Sequence, residues 1–187
     1  MTQDPRKHRS VAPFPVYAGQ HESTCGVACL AMIAEWVTRR PQYEVDWARI
    51  AGARTRGLTA DEIVAALEAV DGPLAGLIAV RKCCSAQDDP PGWRRWRRGH
   101  RTRPPITGAD RVYLLRIDAY DERGQHQGHW IVTYGCGRRR SASGEARWVV
   151  LIADPDGGVR YGWDWRSMVE AQVLDVIEVR RICRRKR

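Results

Sequence analysis

No apolar run in the chain reaches the ~18 to 20 residues that a membrane-crossing helix requires. The opening MTQDPRKHRS also lacks the apolar core of a secretory signal. The six cysteines, Cys25, Cys29, Cys83, Cys84, Cys136 and Cys183, contain no C-x-x-C pair and do not reach the density of a disulfide-held scaffold. These absences argue against a helical membrane protein and against a small disulfide-stapled fold. They set the expectation of a reduced, cytoplasmic protein. No internal repeat is visible. The 187 residues suit one domain, which at this size hides roughly two-thirds of the surface its unfolded chain exposes.

Acidic residues are missing from two windows, RRWRRGHRTR (94–103) and RRICRRKR (180–187), each with six Lys or Arg. Subtracting those twelve positive charges from the net +9 leaves the rest of the chain at −3. The positive charge is therefore local, and the body is mildly acidic. Arg94, Arg95, Arg97, Arg98, Arg101 and Arg103, interleaved with Trp93 and Trp96, are candidates for an anionic partner, a nucleic acid or a membrane surface. The plainer reading, favoured here, is a solvated insertion loop and a basic tail.

The pattern changes character near the middle of the chain. Residues 1–18, rich in proline and charge, read as an extended lead-in. Cys25, Cys29, Met32, Ile33 and Trp36 follow helical spacing, with Ser23 or Thr24 as cap. EVDWARIAG predicts a short second helix. LTADEIVAALEAV predicts a third, in which Thr59 and Glu62 have capping-box spacing. After Pro105 the segments 111–120, 129–135, 147–154 and 173–182 are rich in Val, Ile, Tyr and Trp and read as strands, with a short helix over 164–171. The result is an α+β layout, a helical first half packed on an antiparallel second half. Segment 81–104, flanked by Pro90-Pro91 and Pro104-Pro105, reads as a loop or insertion between them.

Cys25 opens the first helical pattern, and there are two readings of a thiol in that position. Free cysteine is a buried small hydrophobe by default. At a helix N-terminus a thiol is also favoured as thiolate, the nucleophilic form. Nucleophilic chemistry needs a base, a group to orient that base, and donors for the oxyanion. Of the five histidines, His8, His21, His100 and His126 fall in the lead-in, the loop before Cys25, the arginine segment and a turn. Only His129 stands at the start of a strong strand. If 129–135 and 147–154 form a hairpin, His129 comes opposite about residue 153, beside Asp154.

The blocks Q…TCGVACLAMIAEW, RGLTADEIVAALEA, GHWIVTYG and VVLIADPDGG, in this order over roughly residues 16–170, resemble the papain-like cysteine peptidases. The branch they resemble most is the bacterial peptidases that cut double-glycine leaders from bacteriocin precursors, with their stand-alone relatives. That resemblance implies Cys25 as nucleophile, His129 as base, Asp154 as its orienting carboxylate, and Gln20 as the oxyanion side-chain donor beside the Cys25 N–H. It implies one peptidase domain over 19–182, with 81–104 inserted and 183–187 as a basic tail, a peptide or protein substrate, and no cofactor. Two positions depart from the branch pattern. Gln20 stands five residues before Cys25 instead of six, and Thr24 replaces the usual aspartate. No membrane span or ATP-binding domain follows in the sequence, so a stand-alone peptidase is expected, not a peptidase-transporter.

Other readings remain open at this point. The same triad also serves acyl transfer to an amine. An idle peptidase fold also serves as an anionic-surface binder. A host-directed effector or toxin protease would use the same residues. A zinc site from Cys25, Cys29 and a histidine lacks a second pair with ligand spacing.

Overall fold

The computed structural model describes residues 14–19, 24–52, 57–105, 107–120, 126–140, 144–171 and 173–182. The helical spacing from Cys25 becomes α1 (Cys25–Thr38), followed by α2 (Glu44–Ile50) and α3 (Ala60–Leu67). Burial of α1 exceeds a single stripe: Val27, Ala28, Leu30, Ala31 and Ala34 are covered as well as the five spaced positions. Trp47 of α2 and Ile63 and Leu67 of α3 join it in one core. The capping box forms as the sequence expects, with the Glu62 N–H donating to Thr59 Oγ1 at 3.3 Å and the Thr59 N–H donating to the Glu62 carboxylate at 2.8 Å. A cap of this kind stabilises a helix by about 1 kcal/mol.

Six strands, β1 (Ile78–Ser85), β2 (Arg111–Tyr120), β3 (His126–Arg140), β4 (Ala146–Asp154), β5 (Val159–Asp164) and β6 (Val173–Arg181), form one antiparallel sheet in the order β1-β6-β2-β3-β4-β5. Alternation along β2 explains why VYLLRI is almost continuously apolar. Val112 and Leu114 face α1–α3, while Tyr113, Leu115 and Ile117 face a second core on the other side. Two further helices, α4 (Pro90–His100) and α5 (Trp165–Ala171), lie on that second side. The α+β class stands, but the division into a helical half and a sheet half is corrected: β1 comes from the first half, and helices cover both faces.

The loop expected over 81–104 is also corrected. Arg81 and Lys82 lie in edge strand β1, which among the described residues has a strand neighbour on one side only; Arg81 is exposed and Lys82 is half-buried. Pro90 and Pro91 do not break structure but begin α4, and the Asp89 carboxylate accepts the Gly92 N–H at 2.9 Å as its cap. Trp93, Trp96 and His100, spaced by helical turns, form its inner stripe. The lead-in also does more than expected. Phe14 is 2% exposed and stacks on Tyr134 at 5.2 Å, which ties residues 14–19 into the main core. Burying a ring of this size contributes about 2–3 kcal/mol.

Candidate active site

Two contacts lock α1 to β3 and thereby fix the site. The Cys29 thiol, one turn into α1, donates to the Trp130 carbonyl at 3.3 Å. Gly26 lies against the Trp130 ring, where a Cβ would come within 3.3 Å of Trp130 and 3.2 Å of Leu58. Trp130 is itself held by its indole N–H, which donates to the Leu58 carbonyl at 2.8 Å. Because Cys25 precedes Gly26 and His129 precedes Trp130, the same packing brings Cys25 and His129 together. The Cys25 side chain lies close enough to His129 to help raise its imidazole. Cys25 is the first residue of α1, 7% exposed.

The second ring nitrogen of His129 is taken by Asp154: Nε2 lies 2.7 Å from Oδ1. That leaves Nδ1 for the thiol. The hairpin register differs from the expected one. Val132, not His129, lies opposite Ala153, and a bulge between Thr133 and Gly135 shifts the strands thereafter. Continuing the register by one step sets Asp154 opposite residue 131, two from His129 and on the same face by strand alternation. The pair meets diagonally, not side by side. Strand β3 also starts earlier than expected, at His126.

Asp154, 8% exposed, accepts three hydrogen bonds. Oδ1 receives His129 Nε2 and the Asp156 N–H at 2.9 Å, and Oδ2 receives the Tyr161 hydroxyl at 2.8 Å. Burial pushes this carboxyl up, but the donors prevail and hold it below its ordinary value. Burial pushes the His129 imidazole down, yet its interactions with Asp154 and Cys25 outweigh that and raise it to about 10. At neutral pH the ring is an imidazolium between a carboxylate and a sulfur. Such a cation favours the thiolate of a neighbouring cysteine and carries a proton ready for a leaving group.

Of the sequence-expected residues, Cys25, His129 and Asp154 are thus adjacent. Gln20 lies outside the described residues, as do His8 and His21. His100 sits with α4 on the opposite face, its Nδ1 2.9 Å from the Trp96 carbonyl. Cys29 is wholly buried and, with its thiol on a backbone carbonyl, belongs to the core. Tyr161 has no counterpart among the sequence-expected residues: it lies in β5, between the expected strand 147–154 and the expected helix over 164–171.

The aromatic half of the anionic-partner expectation is corrected. The Trp93 indole N–H donates to the Val173 carbonyl at 2.9 Å, and Trp96 stacks on His100 at 4.7 Å with its edge toward Trp165. Both rings are turned into the protein. Arg97 lies over Trp93 and Arg103 over Trp148, while Arg94, Arg95, Arg98 and Arg101 face solvent. A solvated, amphipathic helix accounts for this stretch. Among the described residues no helix is long and apolar enough to cross a membrane.

No family model matches the sequence, and no curated protein matches it. Among solved structures, the chain is similar to the peptidase domain of Streptococcus ComA, a bi-functional ABC transporter involved in a quorum-sensing pathway. The TM-score is 0.57 at 15% identity, covering 90% of this chain and 98% of that one. The likeness implied by the four sequence blocks is therefore found in three dimensions, and the chain has the fold of a peptidase domain.

Proposed function

We propose that this protein is a cysteine endopeptidase in which Cys25 is the nucleophile, His129 the acid and base, and Asp154 the orienting carboxylate. The observation that carries the reading is the imidazole of His129, 2.7 Å from Asp154 and raised by both Asp154 and the neighbouring Cys25, on a peptidase-domain fold. The Cys25 sulfur attacks a peptide carbonyl and forms a tetrahedral oxyanion, for which the Cys25 N–H at the start of α1 and the Gln20 amide are the donors. Collapse breaks the C–N bond, and the proton on His129 goes to the departing amine. Water then attacks the thioester, His129 takes its proton, and the carboxylic acid leaves as the thiol re-forms. Transfer to an amine would use the same first half. Product masses separate the two outcomes. The substrate class that the sequence resemblance suggests is a precursor peptide cut after a double-glycine leader, and an effector protease would instead cut host proteins.

Timed iodoacetamide labelling at neutral pH, read by peptide mapping, tests the nucleophile. Cys25 is expected to be modified first. Burial raises the Cys83 thiol, pushes Cys84 up to about 12, and raises the enclosed Cys29 well above its ordinary value, so these three should lag. Labelling of Cys83 or Cys136 as fast as Cys25 would remove the basis for the assignment.

A further inference from the structure

The site contains a fourth side chain that the Cys-His-Asp reading does not use. Three adjacent strands each present one polar group to the same place. His129 comes from β3, Asp154 from β4 and Tyr161 from β5. Asp154 pairs with Val159 in the β4–β5 ladder, so Tyr161, two residues on, projects from the same face. Its hydroxyl donates to Asp154 Oδ2 at 2.8 Å, while Oδ1 serves His129 and the Asp156 N–H.

We propose that Tyr161 is a positioning residue that holds the Asp154 carboxylate in the rotation and charge state that His129 requires. The inference rests on the catalytic reading of Cys25, His129 and Asp154 given above.

The argument is one of acceptors and donors. A carboxylate on a mobile χ2 torsion aims one oxygen at the imidazole only if the other oxygen is also held, because that torsion is broad. The Asp156 N–H fixes Oδ1 from the carboxylate's own turn, and Tyr161 fixes Oδ2 from the neighbouring strand. Tyr161 is suited to this over the whole working range. Burial and the bond to Asp154 both push its phenol up, so it remains a donor. The other titratable groups acting here are Cys25, on His129, Asp156, on the Tyr161 hydroxyl, and Cys29, which feels the Asp154 charge from α1. None of them supplies a donor to Oδ2 among the described residues. Tyr161 is 36% exposed, so loss of its hydroxyl removes a hydrogen bond without opening a core cavity.

The sign of the pH effect follows. Donors hold the Asp154 carboxyl low, so removing one lets it rise. Protonation of Asp154 then occurs at higher pH, His129 loses its counter-charge sooner on acidification, and Cys25 loses reactivity with it.

The test is the second-order rate of Cys25 alkylation by iodoacetamide from about pH 3 to 9, in wild type and in Tyr161→Phe, with thermal melting to confirm the fold. In wild type, alkylation of Cys25 is expected to fall away on acidification as Asp154 is protonated and His129 loses its counter-charge. Tyr161→Phe should move the acid limb upward by about half a pH unit or more and lower the neutral plateau roughly three- to five-fold. Superimposable profiles would overturn the proposal, and so would a lower plateau with an unmoved limb, which is the signature of a packing role alone. If wild-type Cys25 reacts only as an ordinary thiol, the catalytic reading and the role of Tyr161 fall together. A wild-type acid limb that the Phe variant leaves unmoved removes Tyr161 and leaves the triad.

Discussion

His129→Ala is expected to lower kcat/KM by roughly a thousand-fold or more, while Asp154→Asn lowers it about ten- to a hundred-fold. The histidine both carries the proton to the leaving amine and receives one from water, and no other described imidazole reaches Cys25. His100 is on the far side of the sheet, bound to α4. Asp154 acts through the ring. An asparagine there loses the charge that raises His129, but its orientation is constrained. The Asp156 N–H already points at the Oδ1 position, at 2.9 Å, so the amide oxygen is drawn to that place and still accepts from His129 Nε2. The nitrogen of the amide then faces the Tyr161 oxygen, which accepts in turn. The correct tautomer therefore survives the substitution. Equal losses for the two variants would mean that charge, not orientation, is the aspartate's contribution. Full activity in His129→Ala would show that the base lies elsewhere.

Gln20→Ala should lower kcat by ~100-fold with KM little changed, since a donor aimed at the oxyanion acts only in the transition state. Gln20 itself is outside the described residues, but both ends of its loop are placed. Gly19 donates its N–H to the Pro155 carbonyl at 2.8 Å, next to the Asp154 turn, and Cys25 begins α1. The loop therefore starts and ends at the site. Steady-state kinetics on a cleaved peptide decides the matter. A silent substitution would mean that the five-residue spacing is too short to bring the amide over the sulfur, and that another donor completes the hole.

What the sequence made legible has a physical pattern. Elements with a one-sided signal were found: α1 from its apolar spacing, α3 from Thr59 and Glu62, and the strands β2, β3, β4 and β6 from dense β-branched and aromatic residues. The missed elements hide that signal. Strand β1 carries Arg81 and Lys82 because it is an edge, and α4 has no fully buried side chain, with Trp93, Trp96 and His100 half-buried among its arginines. Its prolines, read as punctuation, occupy the one helical turn that tolerates them. Within the site, His129 and Asp154 were identified from strand position and motif, yet their diagonal contact was not, because β3 runs on past Gly135 and the hairpin closes between Arg140 and Ala146, which moves the whole register. Tyr161 was missed for a related reason. A side chain that reaches across a strand pair to a carboxylate is specified by register, and register is set by the whole sheet.

The most direct measurement of the central claim is a cleavage screen by mass spectrometry. Wild type and Cys25→Ala would each be incubated with a complex peptide library, including precursor-type peptides with a double-glycine leader, and all new amine termini labelled and identified. The account predicts new termini that appear with wild type and are absent with Cys25→Ala, at the mass of hydrolysis. The same termini from the alanine variant, or no cleavage dependent on Cys25 in any peptide class, would contradict it.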